Sequence, residues 1–382
     1  MLKEHHFIYL APEKWAGLWR NRQQLMSVFA RDNTVLFIEP PTFSFRLAGQ
    51  SLLRRQVGLP NLYVFRFPPY PPLSGRFPLE RIFRIARRHS LIQALKKLDM
   101  QNPILWLSRP YMVERLAEIP RARLLVYHVV DEYAGYAGLA REQIQRLREQ
   151  EKRIFSLADI VVVTSKKLYE TKSPFHPRTY LVPNAANYEA YSEALRDPRL
   201  PEALAAIPPP RLGYSGLIGD KLDLEMLLCL AKAHPQWSLV FLGEARFVRP
   251  SELWPRLLSL PNVHYLGQVE ISKVPHYVKG FQAGLIPYRQ NLQAENISPL
   301  KLYDYLAAGI PVASIDIPAA REFKGHLHIA ENPLRFPEIV EAALGDTSPE
   351  RILARRDIAA QNTWEARGEQ ISSIILTTLR SE

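Results

Sequence analysis

One fifteen-residue run, Ser298 to Val312, combines the residue types that bind a phosphorylated ligand. Pro299 suits the first turn of a helix, where its missing N–H costs nothing. The free N–H groups and positive dipole of that helix end attract a diphosphate, and Lys301 adds a cation beside them. Asp304 follows on the same helical face, where its carboxylate can accept hydrogen bonds from ribose hydroxyls. The run predicts a nucleoside diphosphate site, although a plain Lys–Asp pair on an amphipathic helix has the same spacing.

A second polar cluster stands at the end of an apolar run in the N-terminal half. His128 and Asp131 follow the predicted strand at 124–127, at the end of the strand where parallel sheets bind their ligands. A single histidine in such a place is more often part of the core than catalytic. The neighbouring carboxylate makes the pair the strongest acid–base candidates in this half, so His128 and Asp131 are the predicted catalytic residues.

Short apolar runs alternate with longer helical stretches along the whole chain, which is typical of an α/β fold with parallel sheets. Strands are predicted at 35–38, 62–65, 104–107, 124–127, 160–163, 211–214, 238–242, 263–266, 283–286 and 312–314. Helices are predicted at 20–31, 78–98, 140–157, 166–173, 222–233, 273–279 and 299–308. The pattern predicts two doubly wound domains that face a cleft.

The 382 residues are long for one domain and fit two. Prolines concentrate between residues 183 and 210, which is typical of a linker. We therefore expect an N-terminal domain at 1–195, a C-terminal domain at 196–347, and a helical segment at 348–382 that packs back towards the N-terminal domain.

The run from Ser298 to Val312 resembles the donor-binding helix of GT-B glycosyltransferases. The likeness is greatest to the large retaining family typified by bacterial cell-wall and exopolysaccharide enzymes. It implies two Rossmann-like domains, an N-terminal one for the acceptor and a C-terminal one for the nucleotide sugar. It also implies that Lys301 contacts the donor diphosphate, that Asp304 contacts the ribose, and that the helix start at Ser298 and Leu300 belongs to the donor site.

Other segments resemble this family in the expected order. Gly216 lies in a strand-to-glycine turn like the one that approaches the donor phosphates, although a plain tight turn has the same pattern. Gln268 and Val269 correspond to the residues that flank the nucleobase. Arg22 corresponds to a cleft-facing arginine. Asn296 stands where many relatives have a glutamate; its amide can bind a sugar hydroxyl but supplies no negative charge.

The resemblance implies transfer of a sugar from a nucleoside-diphosphate sugar to a hydroxyl of a lipid-linked or polysaccharide precursor. UDP is the first expectation, with GDP and dTDP open, and neither a metal nor a cofactor is expected. Retention of the anomeric configuration is favoured, whereas Asp131 would be the base of an inverting enzyme. Two alternatives remain: a GT-B sugar-nucleotide epimerase, and a non-catalytic nucleotide-sugar-binding protein of the same fold.

The positive charge of the chain is concentrated in its N-terminal half. The net charge is +11, and residues 1–200 carry 31 Lys and Arg against 18 Asp and Glu. Residues 76–98 form a basic amphipathic helix, and Arg46 and residues 52–55 suggest a second basic surface. Basic and apolar side chains together favour an anionic membrane surface over a merely solvated helix face. Without a recognition motif, the charge does not indicate nucleic acid.

The sequence also bounds the cellular setting. No run approaches the ~20 apolar residues that cross a bilayer. The only cysteine, Cys229, excludes a disulfide within the chain and is consistent with a reducing cytoplasm. We therefore expect a cytoplasmic protein that attaches peripherally to the inner face of the membrane.

Overall fold

The computed structural model describes residues 1–17, 19–41, 52–67, 79–136 and 138–381. Within these ranges the strands form two sheets, one from each half of the chain. None of the helices in these ranges is long and apolar enough to cross a bilayer.

The first sheet is parallel apart from one edge strand. Its strands are β1 (His6–Leu10), β2 (Thr34–Ile38), β3 (Leu53–Gln56), β4 (Leu59–Phe65), β5 (Ile104–Leu107), β6 (Leu124–Val129), β7 (Ile160–Val163) and β8 (Thr179–Leu181). They lie in the order β3-β4-β2-β1-β5-β6-β7-β8, and only β3 runs antiparallel to its neighbour. The helices of this half are α1 (Asn21–Phe29), α2 (Leu79–Lys97), α3 (Arg141–Phe155) and α4 (Lys166–Lys172). β5, β6 and β7 are buried along their whole length, which explains their unbroken apolar sequences.

The second sheet is entirely parallel and has the strand order of a dinucleotide-binding fold. Its strands are β9 (Arg211–Ser215), β10 (Ser238–Leu242), β11 (Val263–Gly267), β12 (Ala283–Ile286), β13 (Val312–Ile315) and β14 (His328–Ala330). Their order is β11-β10-β9-β12-β13-β14, so the direction of winding reverses between β9 and β12. The helices are α5 (Tyr188–Arg196), α6 (Glu202–Ala205), α7 (Leu224–Ala233), α8 (Leu253–Leu258), α9 (Val274–Val278), α10 (Leu292–Asn296), α11 (Leu300–Ala308), α12 (Pro318–Arg321) and α13 (Phe336–Gly345).

Two final helices, α14 (Pro349–Gln361) and α15 (Trp364–Arg380), return the chain to the first sheet. The hydroxyl of Thr363 accepts a hydrogen bond from the Ala366 N–H and begins α15. α15 then packs closely on α1, because a Cβ at Gly368 would lie 2.8 Å from a methyl carbon of Val28. The side chains of Trp364, Ile371 and Ile375 belong to the apolar core of the first sheet. The predicted helical segment thus crosses back to the N-terminal half.

The structure also contains elements that the sequence analysis did not predict. β1, β3, β8 and β14 were not among the predicted strands, and β1 lies near the centre of its sheet. The segment predicted as a linker, 183–210, carries α5 and α6, and Tyr191 of α5 is part of the second core. Leu53, Arg54 and Arg55 of the predicted second basic surface lie in edge strand β3, where both arginines are exposed, and this surface stays a prediction. Arg46 and residues 76–78 of the predicted basic surfaces lie outside the described residues. The domain boundaries after residues 195 and 347 stay predictions.

Candidate functional site

The carboxyl ends of the two sheets line one cavity of about 890 Å³. The first sheet contributes the segments that follow β1, β5 and β6. The second contributes the segments that follow β9, β10 and β11, together with the start of α11. Ligands of open α/β sheets bind at these ends, where the strand order reverses, and the volume suits a ligand the size of a nucleotide sugar.

The start of α11 brings most of the predicted donor residues into this cavity. Ser298, Leu300, Lys301 and Asp304 all line it. Pro299 is the N-cap of α11, and Gly309 ends the helix in the left-handed conformation with φ +73°. The Ser298 carbonyl accepts a 2.7 Å hydrogen bond from the Asn184 side chain, which fixes the turn into the helix.

Lys301 is a buried cation without a carboxylate in direct contact. Its Nζ donates to the Tyr288 hydroxyl at 2.8 Å and lies 4.4 Å from the centroid of the Tyr214 ring. Burial lowers the pKa of Lys301 well below its usual range, and the nearby charge of Lys221 lowers it further. Asp304 opposes this shift only in part. The site is therefore short of negative charge around Lys301.

Asp304 lies one turn further along α11, and its negative charge acts to raise the pKa of Lys301. Burial raises the pKa of Asp304 to about 7, against the opposing effects of Lys301 and of a hydrogen bond with the Tyr191 hydroxyl. Near neutral pH the carboxyl group therefore exists in both protonation states. A carboxyl in this state can accept or donate a hydrogen bond to a hydroxyl-bearing ligand.

Two glycine turns carry the backbone up to the Lys301 ammonium. Gly216 follows β9 with φ +125°, and a Cβ there would lie 3.3 Å from Lys301 Nζ. Gly243 follows β10 with φ +135°, and a Cβ there would lie 2.2 Å from the Gly216 carbonyl oxygen. A side chain at Gly216 would fill the space beside the ammonium, so this glycine leaves room for a ligand group at Lys301, whereas Gly243 allows the two turns to pack on each other.

The turn after β11 supplies Gln268 and Val269, and both line the same cavity. Asn296 does not line it, although it belongs to the predicted donor set. Its side chain is 2% exposed and donates to the Leu292 carbonyl at 2.8 Å, and its own carbonyl accepts from the Ser165 hydroxyl at 2.7 Å. The structure thus gives Asn296 a part in holding the segment before α11, and does not bring it to the cavity.

On the opposite wall, Asp131 is held by an aromatic and arginine cluster. Its Oδ2 accepts a 2.8 Å hydrogen bond from the Tyr136 hydroxyl, and its buried Oδ1 bonds no described residue. Arg109 donates to the Tyr136 hydroxyl at 3.1 Å and lies 4.4 Å from the Tyr133 ring centroid. Burial raises the pKa of Asp131, while the Tyr136 hydrogen bond and Arg109 act against that rise. Asp131 is a carboxylate with one oxygen left for a ligand.

His128 and Arg22 were predicted to face the cleft, and the structure brings neither side chain to it. The His128 ring is buried and packs edge-to-face on Trp106 at 5.6 Å, and burial lowers the pKa of His128 to about 3. Arg22 is buried in an ion pair with Glu13 at 2.5 Å. Arg20, two residues earlier, lines the cavity instead. Asp131 alone of the predicted catalytic pair lies in the site.

Four cations in the site were missed by the sequence analysis: Arg20, Arg109, Lys221 and Arg246. Burial and the nearby charge of Arg20 together lower the pKa of Lys221 to about 8, while the charge of Asp131 acts against both. A signal for two of them was present, because Arg109 stands two residues after a predicted strand and Lys221 follows the glycine turn at Gly216. No group of three or more His, Cys, Asp or Glu residues in the described ranges is arranged to hold a metal ion.

Comparison with known sequences adds a functional likeness. No family model matches the chain. The chain is 28% identical over 234 residues to TuaH of Bacillus subtilis (strain 168), provisionally named as a teichuronic acid biosynthesis glycosyltransferase. The match spans 59% of this chain and 58% of the length of TuaH.

Solved structures resemble the whole chain. A sucrose-phosphate synthase from Thermosynechococcus elongatus has a TM-score of 0.70 at 16% sequence identity. The superposition covers 99% of this chain and 100% of the synthase chain. A trehalose-6-phosphate protein from E. coli, bound to UDP-2-fluoro glucose, has a TM-score of 0.63 at 13% sequence identity. The superposition covers 97% of this chain and 98% of the E. coli chain. WaaG, a glycosyltransferase involved in lipopolysaccharide biosynthesis, has a TM-score of 0.58 at 15% sequence identity. The superposition covers 98% of this chain and 99% of the WaaG chain. The predicted GT-B fold is confirmed.

Proposed function

We propose that this protein is a glycosyltransferase that moves a sugar from a nucleoside-diphosphate donor, UDP in the first instance, to a hydroxyl acceptor. The observation that carries the proposal is the arrangement of the cavity. An under-neutralised cation, Lys301, lies beside a glycine turn on one wall, and a carboxylate with a free oxygen, Asp131, lies on the other. The likeness to TuaH supports an acceptor of the cell-envelope polysaccharide class.

The donor fits the C-terminal wall by charge and by shape. The N–H groups at the start of α11, Lys301 and Lys221 bind the diphosphate, since its negative charge relieves the burial cost of both ammonium groups. Asp304 binds the ribose hydroxyls, and Gln268 and Val269 flank the base, as the resemblance implies. Gly216 leaves the space in which the diphosphate reaches Lys301.

In the proposed reaction the acceptor oxygen attacks the anomeric carbon as the bond from that carbon to the diphosphate oxygen breaks. The fixed cations stabilise the charge that develops on the leaving diphosphate, so no metal is required. We favour retention, in which the leaving phosphate takes the acceptor proton and Asp131 binds a sugar hydroxyl. Inversion would instead make Asp131 the base. The anomeric configuration of the product, read by NMR, separates the two.

A lipid-linked acceptor would account for the exposed face of α2. Ile82 and Ile85 are 61% and 70% exposed, an unusual position for isoleucine, and Arg84 and Arg88 lie within one turn of them. Isoleucines that insert among arginines match an anionic bilayer surface, where each cation contributes about 1 kcal/mol. We therefore include peripheral attachment to an anionic membrane in the proposal.

Sedimentation with vesicles containing about one third phosphatidylglycerol tests this attachment. We expect binding at low salt that falls as salt rises, and a clear loss in the double variant Ile82→Ser, Ile85→Ser. Leu353→Ser is the matched control, because Leu353 is 60% exposed on α14 and not on α2. Failure of the wild type to sediment at low salt, or equal losses in both variants, would remove the membrane from the proposal.

The donor site is tested by thermal stabilisation with a panel of UDP, GDP, dTDP and their sugars. We expect one nucleotide to raise the melting temperature of the wild type and to lose most of that effect in Lys301→Ala. The exposed Lys232→Ala on α7 is the control. If no nucleotide stabilises the wild type at millimolar concentration, the donor assignment fails. A shift that survives in Lys301→Ala would place the nucleotide elsewhere.

A further inference from the structure

A smaller cavity of about 240 Å³ adjoins the main cavity on the side of the N-terminal domain. Four residues line both: Trp19, Gln24, Asn187 and Trp364. The walls of the smaller cavity are α1, the hairpin between β3 and β4, and the first turn of α15. A ligand that leaves the main cavity past Trp19 therefore enters this second space directly.

The lining of the smaller cavity is polar and aromatic. Gln24, Ser27, Gln56 and Asn187 supply amide and hydroxyl groups, Trp19 supplies a partly buried indole ring, and the core residue Trp364, 4% exposed, adds little surface. Arg31 and Glu365 form an ion pair of 2.6 Å at its edge. The only aliphatic lining residues in the described ranges are Val28, Val57 and Leu59. The lining thus combines apolar surface with several amide and hydroxyl groups, a combination that suits a sugar ring.

Several of these polar groups have no partner among the described residues. The Ser27 hydroxyl is buried and bonds none of them. The amides of Gln24 and Gln56 likewise make no side-chain hydrogen bond within the described ranges. Leaving the buried Ser27 hydroxyl without a partner is unfavourable, and the half-buried amides of Gln24 and Gln56 are free to bond a hydroxyl-rich ligand.

The aromatic rings suit the same class of ligand. Trp19 is only partly buried, and its ring is held edge-on by Trp15 at 5.6 Å. An indole face carries a partial negative charge, and the C–H face of a pyranose ring carries a partial positive one. Indole faces and side-chain amides together recognise a sugar ring through its C–H face and its hydroxyls.

We propose that the smaller cavity is a subsite for a sugar residue of the acceptor, one or more residues away from the hydroxyl that reacts. This inference rests on the proposed function and deepens it: the acceptor is a glycan chain, and the protein recognises a second sugar beside Trp19. The volume suits a single sugar ring.

Binding of neutral and acidic oligosaccharides of one to four residues, measured by calorimetry at saturating UDP, tests the subsite. We expect the affinity of the wild type to rise about tenfold at the length that first reaches the smaller cavity. Gln56→Ala and the space-filling Ser27→Leu should abolish that step and leave the binding of monosaccharides and UDP unchanged. Gln145→Ala is the matched control, because Gln145 is exposed on α3 and lines neither cavity.

The outcomes separate the subsite from the proposed function. If UDP binds but affinity never depends on chain length, or if Gln56→Ala matches Gln145→Ala, the subsite inference is wrong while the donor site stands. If none of UDP, GDP, dTDP and their sugars binds and long oligosaccharides still bind in a Gln56-dependent way, the subsite stands and the transferase proposal fails. The result for Ser27→Leu is used only if UDP stabilises this variant as much as the wild type, which shows that the variant is folded. If it does not, the test rests on Gln56→Ala, whose substitution lies on a surface hairpin.

Discussion

Replacing Lys301 with methionine is expected to stabilise the free protein and to weaken nucleotide binding. Methionine keeps the length of the side chain and removes the charge. In the free protein, burial disfavours the ammonium more than the Tyr288 hydrogen bond and the Tyr214 ring favour it, since the pKa of Lys301 is well below its usual value. The Tyr288 hydroxyl keeps its hydrogen bond with Tyr214 in the variant.

The magnitudes follow from these contacts. Replacing buried charges with apolar side chains of similar volume is neutral or stabilising by about 1–4 kcal/mol, so we expect Lys301→Met to add about 1 kcal/mol to the free energy of unfolding. For a domain of this size that gain raises the melting temperature by roughly 2–4 °C. The gain is largest at pH values below the depressed pKa and vanishes above about pH 11, where the lysine is neutral in both states. A hydrogen bond between an ammonium and a phosphate contributes about 1.5–3 kcal/mol, so UDP should bind roughly 10- to 150-fold more weakly.

Thermal unfolding without ligand and calorimetric titration with UDP measure the two effects on the same samples. Lys232→Met, at an exposed position on α7, should change neither quantity. The reasoning is refuted if Lys301→Met melts lower than the wild type without nucleotide, because the charge would then be well compensated. It is also refuted if the UDP affinity changes by less than about twofold.

Three further predictions concern pH. Because burial raises the pKa of Asp304 to about 7, the wild type should lose stability relative to Asp304→Asn as pH rises from about 4 through 7, as measured by urea unfolding. The pKa of Lys221 is about 8, and a bound diphosphate would raise it. UDP binding should therefore take up protons near pH 8, and the affinity for UDP should fall above pH 8. Equal calorimetric heats of UDP binding in buffers of different ionisation enthalpy would contradict this. Because burial lowers the pKa of His128 to about 3, stability should fall as pH drops from about 6.5 to 3, and His128→Phe should flatten that fall in acid unfolding curves.

The C-terminal wall of the cavity was predictable because its signals are local. Pro299 and Gly309 mark the two ends of α11, and Lys301 and Asp304 share the face between them. Gly216 follows a strand that an apolar run defines, and its positive φ is one that glycine adopts readily. These features depend on residues close together in the chain, so sequence spacing was enough to place them.

The N-terminal wall of the cavity was less predictable because its geometry depends on packing. All six residues of β6 are buried, so the sequence has no polar and apolar alternation to show that His128 enters the core while Asp131 reaches the cavity. Arg20 and Arg22 are two residues apart, and α1 begins between them. Arg20, the N-cap of α1, lines the cavity, whereas Arg22 lies inside the helix and is buried. β1 was missed although its last four residues are a buried apolar run like those of the predicted strands.

Turnover tests the central claim most directly. The protein is incubated with the nucleotide sugar that stabilises it and with oligosaccharide or lipid-linked acceptors, and products are read by mass spectrometry. We predict that free nucleoside diphosphate appears in equal amount with an acceptor heavier by one sugar, and that Lys301→Met slows both together. A nucleotide sugar that is converted to its epimer without acceptor, or one that binds and is never consumed, would contradict the account.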